Sequence, residues 1–253
     1  MSSLGIGGLV FVSVFGGALL GMFLHNRLPA DHLSIESRDV VKLGTGLIAT
    51  MTALVLGLLT ASAKGSFDAQ KSEVQQSATN VVLLDRTLAH YGGEATPIRG
   101  AVQLAVQRRI ESIWPTGSAP VKIDDPQAIA GVERIDAALR ALTPTDDVHR
   151  QLQAKALQLC DQLTQTRWVL AGQASETSIP GPLLVVVVCW LTVIFMSFGI
   201  LAPPNRTVGV VLALSALSVS GAIFLILEMD RPLQGLLKIP SDSLQYALAH
   251  LGQ

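Results

Sequence analysis

Residues 43–63 read LGTGLIATMTALVLGLLTASA, with Lys42 immediately before and Lys64 immediately after. No charge interrupts the stretch, and a helix of that length at 1.5 Å per residue covers the roughly 30 Å hydrocarbon core of a bilayer. Nothing beyond Lys64 halts the helix except Gly65. Apolar positions Val74, Ala78, Val81, Leu84, Leu88 and Tyr91 then recur at spacings of three and four, the stripe of an amphipathic helix. One long helix is therefore expected from near Asp39 to about His90, membrane-spanning in its first part and water-facing in its second.

Working outward, three more stretches are long and apolar enough to span: 4–24, 182–202 and 208–227. The first reads as a retained span rather than a cleaved signal, because no Lys or Arg precedes it and His25-Asn26-Arg27 follows it. Pro203-Pro204-Asn205-Arg206 is the only polar punctuation between the last two, which makes them a tight hairpin. In hydrocarbon every backbone amide must be paired internally, so these segments cross as helices. Composition agrees: only 15% of the 253 residues are charged, against about 25% in soluble domains. The net charge of −1 gives no general basis for nucleic-acid binding.

Residues 64–176 are different in kind. They hold 12 of the 18 Lys and Arg and 13 of the 19 Asp and Glu, a balanced and solvated surface. Thr96-Pro97, Asp125-Pro126 and Thr145-Asp146-Asp147 are helix starts, and Gly92-Gly93 and Gly117 mark breaks. Val132, Ile135, Leu139 and Leu142, then Leu152, Ala156, Leu159, Leu163 and Leu170, form further apolar stripes. The expected fold is an all-α membrane protein, four transmembrane helices with an extramembrane four-helix bundle inserted between the second and third. Its parts are a first membrane pair at 1–63, the helical domain at 64–178, a second pair at 179–230 and a C-terminal tail at 231–253. Lys and Arg close to the spans lean slightly towards a cytoplasmic placement of that domain. Cys160 and Cys189 form no disulfide framework.

Two faces of the second span carry functional interest. Thr45, Ala49, Thr52, Leu56 and Thr60 form one, the candidate wall of a pore that Leu56 constricts. Gly46, Thr50, Ala53 and Gly57 form the other, matched on the fourth span by Gly209, Ala213, Ala216 and Ser220. Small residues of this kind serve helix packing, and that reading also stands for the threonine face. A pore built from one helix requires several copies around an axis, so homo-oligomerisation belongs to the channel reading. No ionisable residue sits mid-span, which argues against a pump or coupled carrier.

Polar residues cluster at the membrane edges: Asp31, His32, Glu36, Arg38, Asp39 and Lys42 before the second span, and Glu228, Asp230 and Arg231 after the fourth. His32 and Glu36 are four apart, but no third ligand accompanies them, and a solvated cap is the expectation rather than a metal site. The five histidines are scattered, with no HExxH spacing and no phosphate loop after a strand. No enzyme, metal or cofactor is expected.

The stretch LPADHLSIESRDVVKLGTGLIATMTALVLGLLTASAKGSFD at 28–68 resembles the bestrophin-like domain family of bacterial membrane proteins. LLDRTLAHYG at 83–92, IWP at 113–115 and LEMDRPLQGLLKI at 227–239 fit the same pattern. The resemblance implies kinship with bestrophins, pentameric anion channels with four membrane helices, a helical cytosolic domain between the second and third, and a pore lined by the second. On it, the chain is an oligomeric passive anion channel of the bacterial inner membrane, its partners the lipid bilayer, further copies of itself and small anions. The second span lacks the aromatic residue of bestrophin constrictions, and the acidic calcium clasp of animal bestrophins is not evident. The rival reading is a non-conducting membrane scaffold or sensor whose cytosolic bundle binds a partner.

Overall fold

The computed structural model describes residues 2–29, 34–115, 121, 126–175, 179–203, 205–233 and 235–253. The chain forms α1 (Ser3–His25), α2 (Ile35–Tyr91), a 3-10 turn (Gly93–Ala95), α3 (Thr96–Ile113), α4 (Pro126–Ala141), α5 (Asp147–Ser175), α6 (Gly181–Leu201), α7 (Arg206–Met229) and α8 (Asp242–His250). No strand occurs among the described residues. α1, α2, α6 and α7 are long and apolar enough to cross a membrane. The long α2 is continuous, as its uninterrupted periodicity requires.

Local chemistry sets the helix ends. The side chains of Ser2, Asp146 and Asn205 accept backbone N–H bonds from Gly5, His149 and Val208, satisfying donors that a helix N-terminus leaves open. Thr96 is not a cap: it lies inside α3, and Ala95 precedes it without a side-chain bond. The chain reaches α3 through the 3-10 turn and Gly92, whose φ of +105° disfavours any residue with a Cβ. Asp125 and Gly117 lie outside the described residues.

The chain divides into two compact units, residues 1–67 with 178–230, and residues 68–177 with 231–253. α2 contributes to both. In the first unit, α1 packs on α6 and α7 through Val10, Val14 and Ala18 against Val187, Leu191, Phe195, Ala216 and Ile223. The α1–α6 crossing is at backbone distance: a Cβ on Gly21 would collide with the Met196 carbonyl, and one on Gly199 with the Ala18 carbonyl. Gly17 is similarly closed by Thr192. Small residues at such a crossing let dispersion contacts, which carry helix association in lipid, form between backbones. His25 Nδ1 donates to the Ile200 carbonyl at 2.6 Å, joining the ends of α1 and α6.

In the second unit, Leu84 and Leu88 of α2, Val102 and Val106 of α3, Ile135 and Leu139 of α4, and Ala156 and Leu159 of α5 form one core. The C-terminal residues, read from sequence as a tail, belong to this unit. Leu251 is in its core, and Trp114 Nε1 donates to the Ile239 carbonyl at 2.7 Å. Asp85, 1% exposed, accepts a bidentate pair from Arg99 Nε and Nη2 at 2.8 and 2.9 Å, and a third bond from the Gly252 N–H. Arg86 and Arg99 both donate to the backbone oxygen of Gln253.

Two substitutions test these anchors by thermal unfolding of the solubilised protein. Gly21→Val overpacks the crossing and is expected to cost about 1–3 kcal/mol or more, whereas Gly8→Val, with open space around it, leaves the transition unmoved. Asp85→Asn leaves the Arg99 guanidinium without its counter-charge and is expected to cost about 3–5 kcal/mol.

Candidate functional site

The span carried by α2 presents three faces. Thr45, Thr52, Leu59 and Ala63 are buried, and Ile48, Ala49, Val55 and Leu56 are half-buried against the core of the first unit. Their steps of three and four make a seam that one side of a helix offers its neighbours. A second row, Leu43, Leu47, Leu54 and Leu58, is strongly exposed and suits lipid. Between them lies a third row of Gly46, Thr50, Ala53, Gly57 and Thr60, all exposed. Gly46 and Gly57 have nothing within 4 Å of a Cβ position.

Within the chain, the first sequence-derived face is mostly buried or half-buried and the second is exposed. Thr45, Ala49, Thr52 and Leu56 come together but face their own unit's core, and Thr60 lies apart from them on the exposed side. Gly46, Thr50, Ala53 and Gly57 are exposed. Leu59 and Ala63 are buried on the same side of the helix as Thr45 and Thr52, and this sets which face turns inward. On α7, Ala216 and Ser220 are buried while Gly209 and Ala213 are half-buried. The tightest packing glycines, Gly17, Gly21 and Gly199, were not singled out from the sequence, although Gly17-x-x-x-Gly21 is a recognised close-packing pattern.

Three hydroxyls in the span turn to their own helix. Thr50, Thr52 and Thr60 donate to the carbonyls of Gly46, Ile48 and Leu56 at 2.9, 2.7 and 2.8 Å. This satisfies each donor and leaves an uncharged surface of oxygen and methyl groups.

At the membrane edges, His32 and Asp31 lie outside the described residues, so their pairing with Glu36 is not described either. Glu36 is exposed and Arg38 half-buried. Asp39 and Lys42 form an exposed ion pair at 3.1 Å, worth little by itself. Glu228 and Asp230 are buried at the end of α7, and both are engaged in interactions. Arg231 is exposed. Among the described residues no three His, Cys, Asp or Glu side chains converge as a metal site would require.

The titratable groups of the second unit are structural in setting. Burial raises the carboxyl pKa of Asp85, but the Arg99 bonds and the Gly252 N–H outweigh it and hold the group below the usual 3.8. Burial pushes the Cys160 thiol up to about 11, so it stays protonated. His149 Nδ1 lies 2.8 Å from Asp146 Oδ1, and this bond raises the imidazole above 6.5. Two bonds from His149, first from its backbone N–H, lower Asp146. The His149 ring meets Tyr91 edge-on with centroids 5.0 Å apart, tying the start of α5 to the end of α2.

Four apolar helices and this all-helical architecture define a multi-pass membrane protein. The family model of the Bestrophin-like domain matches residues 12–244, and the chain belongs to that family. No curated protein and no solved structure matches it.

The Asp146–His149 pair gives a pH signature. Asp146, lowered, contributes stability above pH 3.8 that is lost as pH falls through its folded value. His149, raised, contributes fully below pH 6.5 and loses this as pH rises through its folded value. Asn is itself a good N-cap, so Asp146→Asn removes the charge and keeps the cap. The difference in unfolding temperature between wild type and Asp146→Asn is expected to be largest between these limits and to shrink towards pH 8.

Proposed function

We propose that the protein is a passive ion channel of the bacterial plasma membrane, an oligomer that conducts small anions with α2 around its axis. The observation that carries this reading is one row on α2: Lys42, Gly46, Thr50, Ala53, Gly57, Thr60 and Lys64. It advances in steps of three and four, is exposed throughout, and holds only small or hydroxylated residues between two cationic ends. A smooth wall of small and hydroxylated residues with no charge along it retards no small anion at a fixed charge.

The wall belongs to this row rather than to Thr45, Ala49, Thr52 and Leu56, because the latter are occupied by the protomer's own core. Family membership supports the channel class, since bestrophins conduct anions as pentamers. The constriction differs in kind: no phenylalanine or other aromatic residue stands in the span, and Thr60 or the close approach of glycine backbones takes its place. The second unit, rich in balanced charge, lies on the cytoplasmic side in this reading. No catalytic step, metal or cofactor is part of it.

Chloride flux from liposomes reconstituted with the purified protein tests the proposal. Wild type is expected to release chloride, and Gly57→Phe to reduce release to that of empty liposomes. Leu58→Phe, on the lipid-facing row, is expected to leave release unchanged. Absence of flux from monodisperse wild-type protein overturns the channel reading in favour of a membrane scaffold or sensor. Equal flux from wild type and Gly57→Phe removes the axial role of this row.

A further inference from the structure

Immediately after α7 the chain makes a short closed loop. The Gly235 N–H donates to the Arg231 carbonyl at 3.0 Å, and the Ile239 N–H to the Pro232 carbonyl at 2.9 Å. Pro232, Leu233 and Ile239, the feet of the loop, are buried. Trp114 Nε1 holds the Ile239 carbonyl from the end of α3. The tip is opposite in character: Leu236 is 74% and Leu237 42% exposed, and Lys238 beside them is exposed as well.

Single exposed apolar side chains are ordinary on a water-facing surface. Leu236 is not such a case, because it is paired with Leu237 at the tip of a loop fixed at both feet. Among the described residues of the second unit it is also the most exposed large apolar side chain. The charges around the pair have one sign. Arg231 and Lys238 are the only charged residues in 231–239, and both are exposed.

Chain connectivity sets what lies within reach of this tip. α7 has 24 residues, about 36 Å of helix, against a hydrocarbon core of roughly 30 Å, so its ends reach the headgroup layers. Arg231 follows the last residue of α7 by two positions. The Gly235–Arg231 bond then keeps the Leu236 backbone within about 10 Å of the Arg231 carbonyl. Interfacial anchors bury their apolar side chains about 5–10 Å into the boundary between headgroups and acyl chains. Lys and Arg reach from there to anionic headgroups. Two leucines flanked by two cations, this close to the end of a span, match that layer in chemistry and in position. A loop already closed by its own hydrogen bonds loses little freedom on entering it.

We infer that the 231–239 loop is a lipid anchor: Leu236 and Leu237 enter the headgroup–acyl boundary, and Arg231 and Lys238 pair with the phosphates of anionic lipids. The anchor requires α7 to span the bilayer and is independent of whether the protein conducts. The test uses full-length Leu236→Cys, labelled with a nitroxide maleimide and reconstituted in nanodiscs of phosphatidylcholine and phosphatidylglycerol. Power saturation of the spin label compares its collisions with oxygen, which concentrates in lipid, and with a nickel chelate, which stays in water. Oxygen is expected to dominate at position 236. The chelate is expected to dominate at Val148→Cys, a similarly exposed site at the start of α5. Nanodiscs of phosphatidylcholine alone, or Lys238→Glu in the mixed lipid, are expected to shift the label at 236 towards water. Chelate dominance at 236 in the mixed lipid overturns the anchor. Low access of both reagents there overturns it too, because a protein surface such as a second copy then covers the loop. Oxygen dominance that neither lipid charge nor Lys238→Glu alters overturns the phosphate pairing.

Discussion

The membrane unit depends on the approach of α1 to α6 at backbone distance. In lipid, burying a leucine against another helix gains little, because the hydrocarbon it leaves is just as apolar. What remains is dispersion between closely fitted surfaces, and Gly17, Gly21 and Gly199 allow the closest fit in the unit. Once α1 and α6 are in contact, Val10, Val14 and Ala18 follow as an interlocking seam, and Gly7 sets Phe224 of α7 against the same helix. α2 adds one face, that of Leu59 and Ala63. The remaining circumference of α2 is left to its surroundings, and a membrane protein can assign that circumference to lipid, to water or to another copy.

Much of this was legible in the sequence, and for definite reasons. Charge-free stretches bounded by Lys42 and Lys64, or closed by Glu228 and Asp230, report the thickness of a hydrocarbon layer, so the stretches expected at 4–24, 182–202 and 208–227 match helices within two residues at each end, and that at 43–63 falls inside the longer α2. The unbroken periodicity from Val74 to Tyr91 likewise announced the length of α2. Which face of α2 turns inward was not legible. Gly46 and Thr45 differ by one position, both rows are small, and hydropathy weighs them alike. The decision falls to Leu59 and Ala63 further along the helix, whose burial drags Thr45 and Thr52 inward with them. α8 escaped because its nine residues are too short for periodicity to register, and its neighbours supply the core contact at Leu251. The Thr96 cap failed for a local reason: a glycine-led 3-10 turn already satisfies the approach to α3.

The second unit sets two arginines in contrasting circumstances. Arg99 meets a buried aspartate and the chain's own backbone, so its charge is absorbed by interactions within the fold. Arg167 is more enclosed still, with an aromatic ring against one face and its Nε and Nη2 without a hydrogen-bond partner among the described residues. Hydrophobic patterning foretells neither outcome. Both residues sit in helices that would be equally amphipathic with a lysine or glutamine in their place, and the distinction arises only when five helices close around a common space.

The two cysteines have a practical corollary. Cys160 is buried and protonated, and Cys189 opens outward from α6 within an apolar span. The native chain therefore shows no thiol to water on either side of a membrane, and it is indifferent to the redox poise of the compartments it separates. Water-soluble maleimides will find the wild-type protein silent. A single cysteine introduced anywhere on its surface will report topology against a blank background, with neither native cysteine removed.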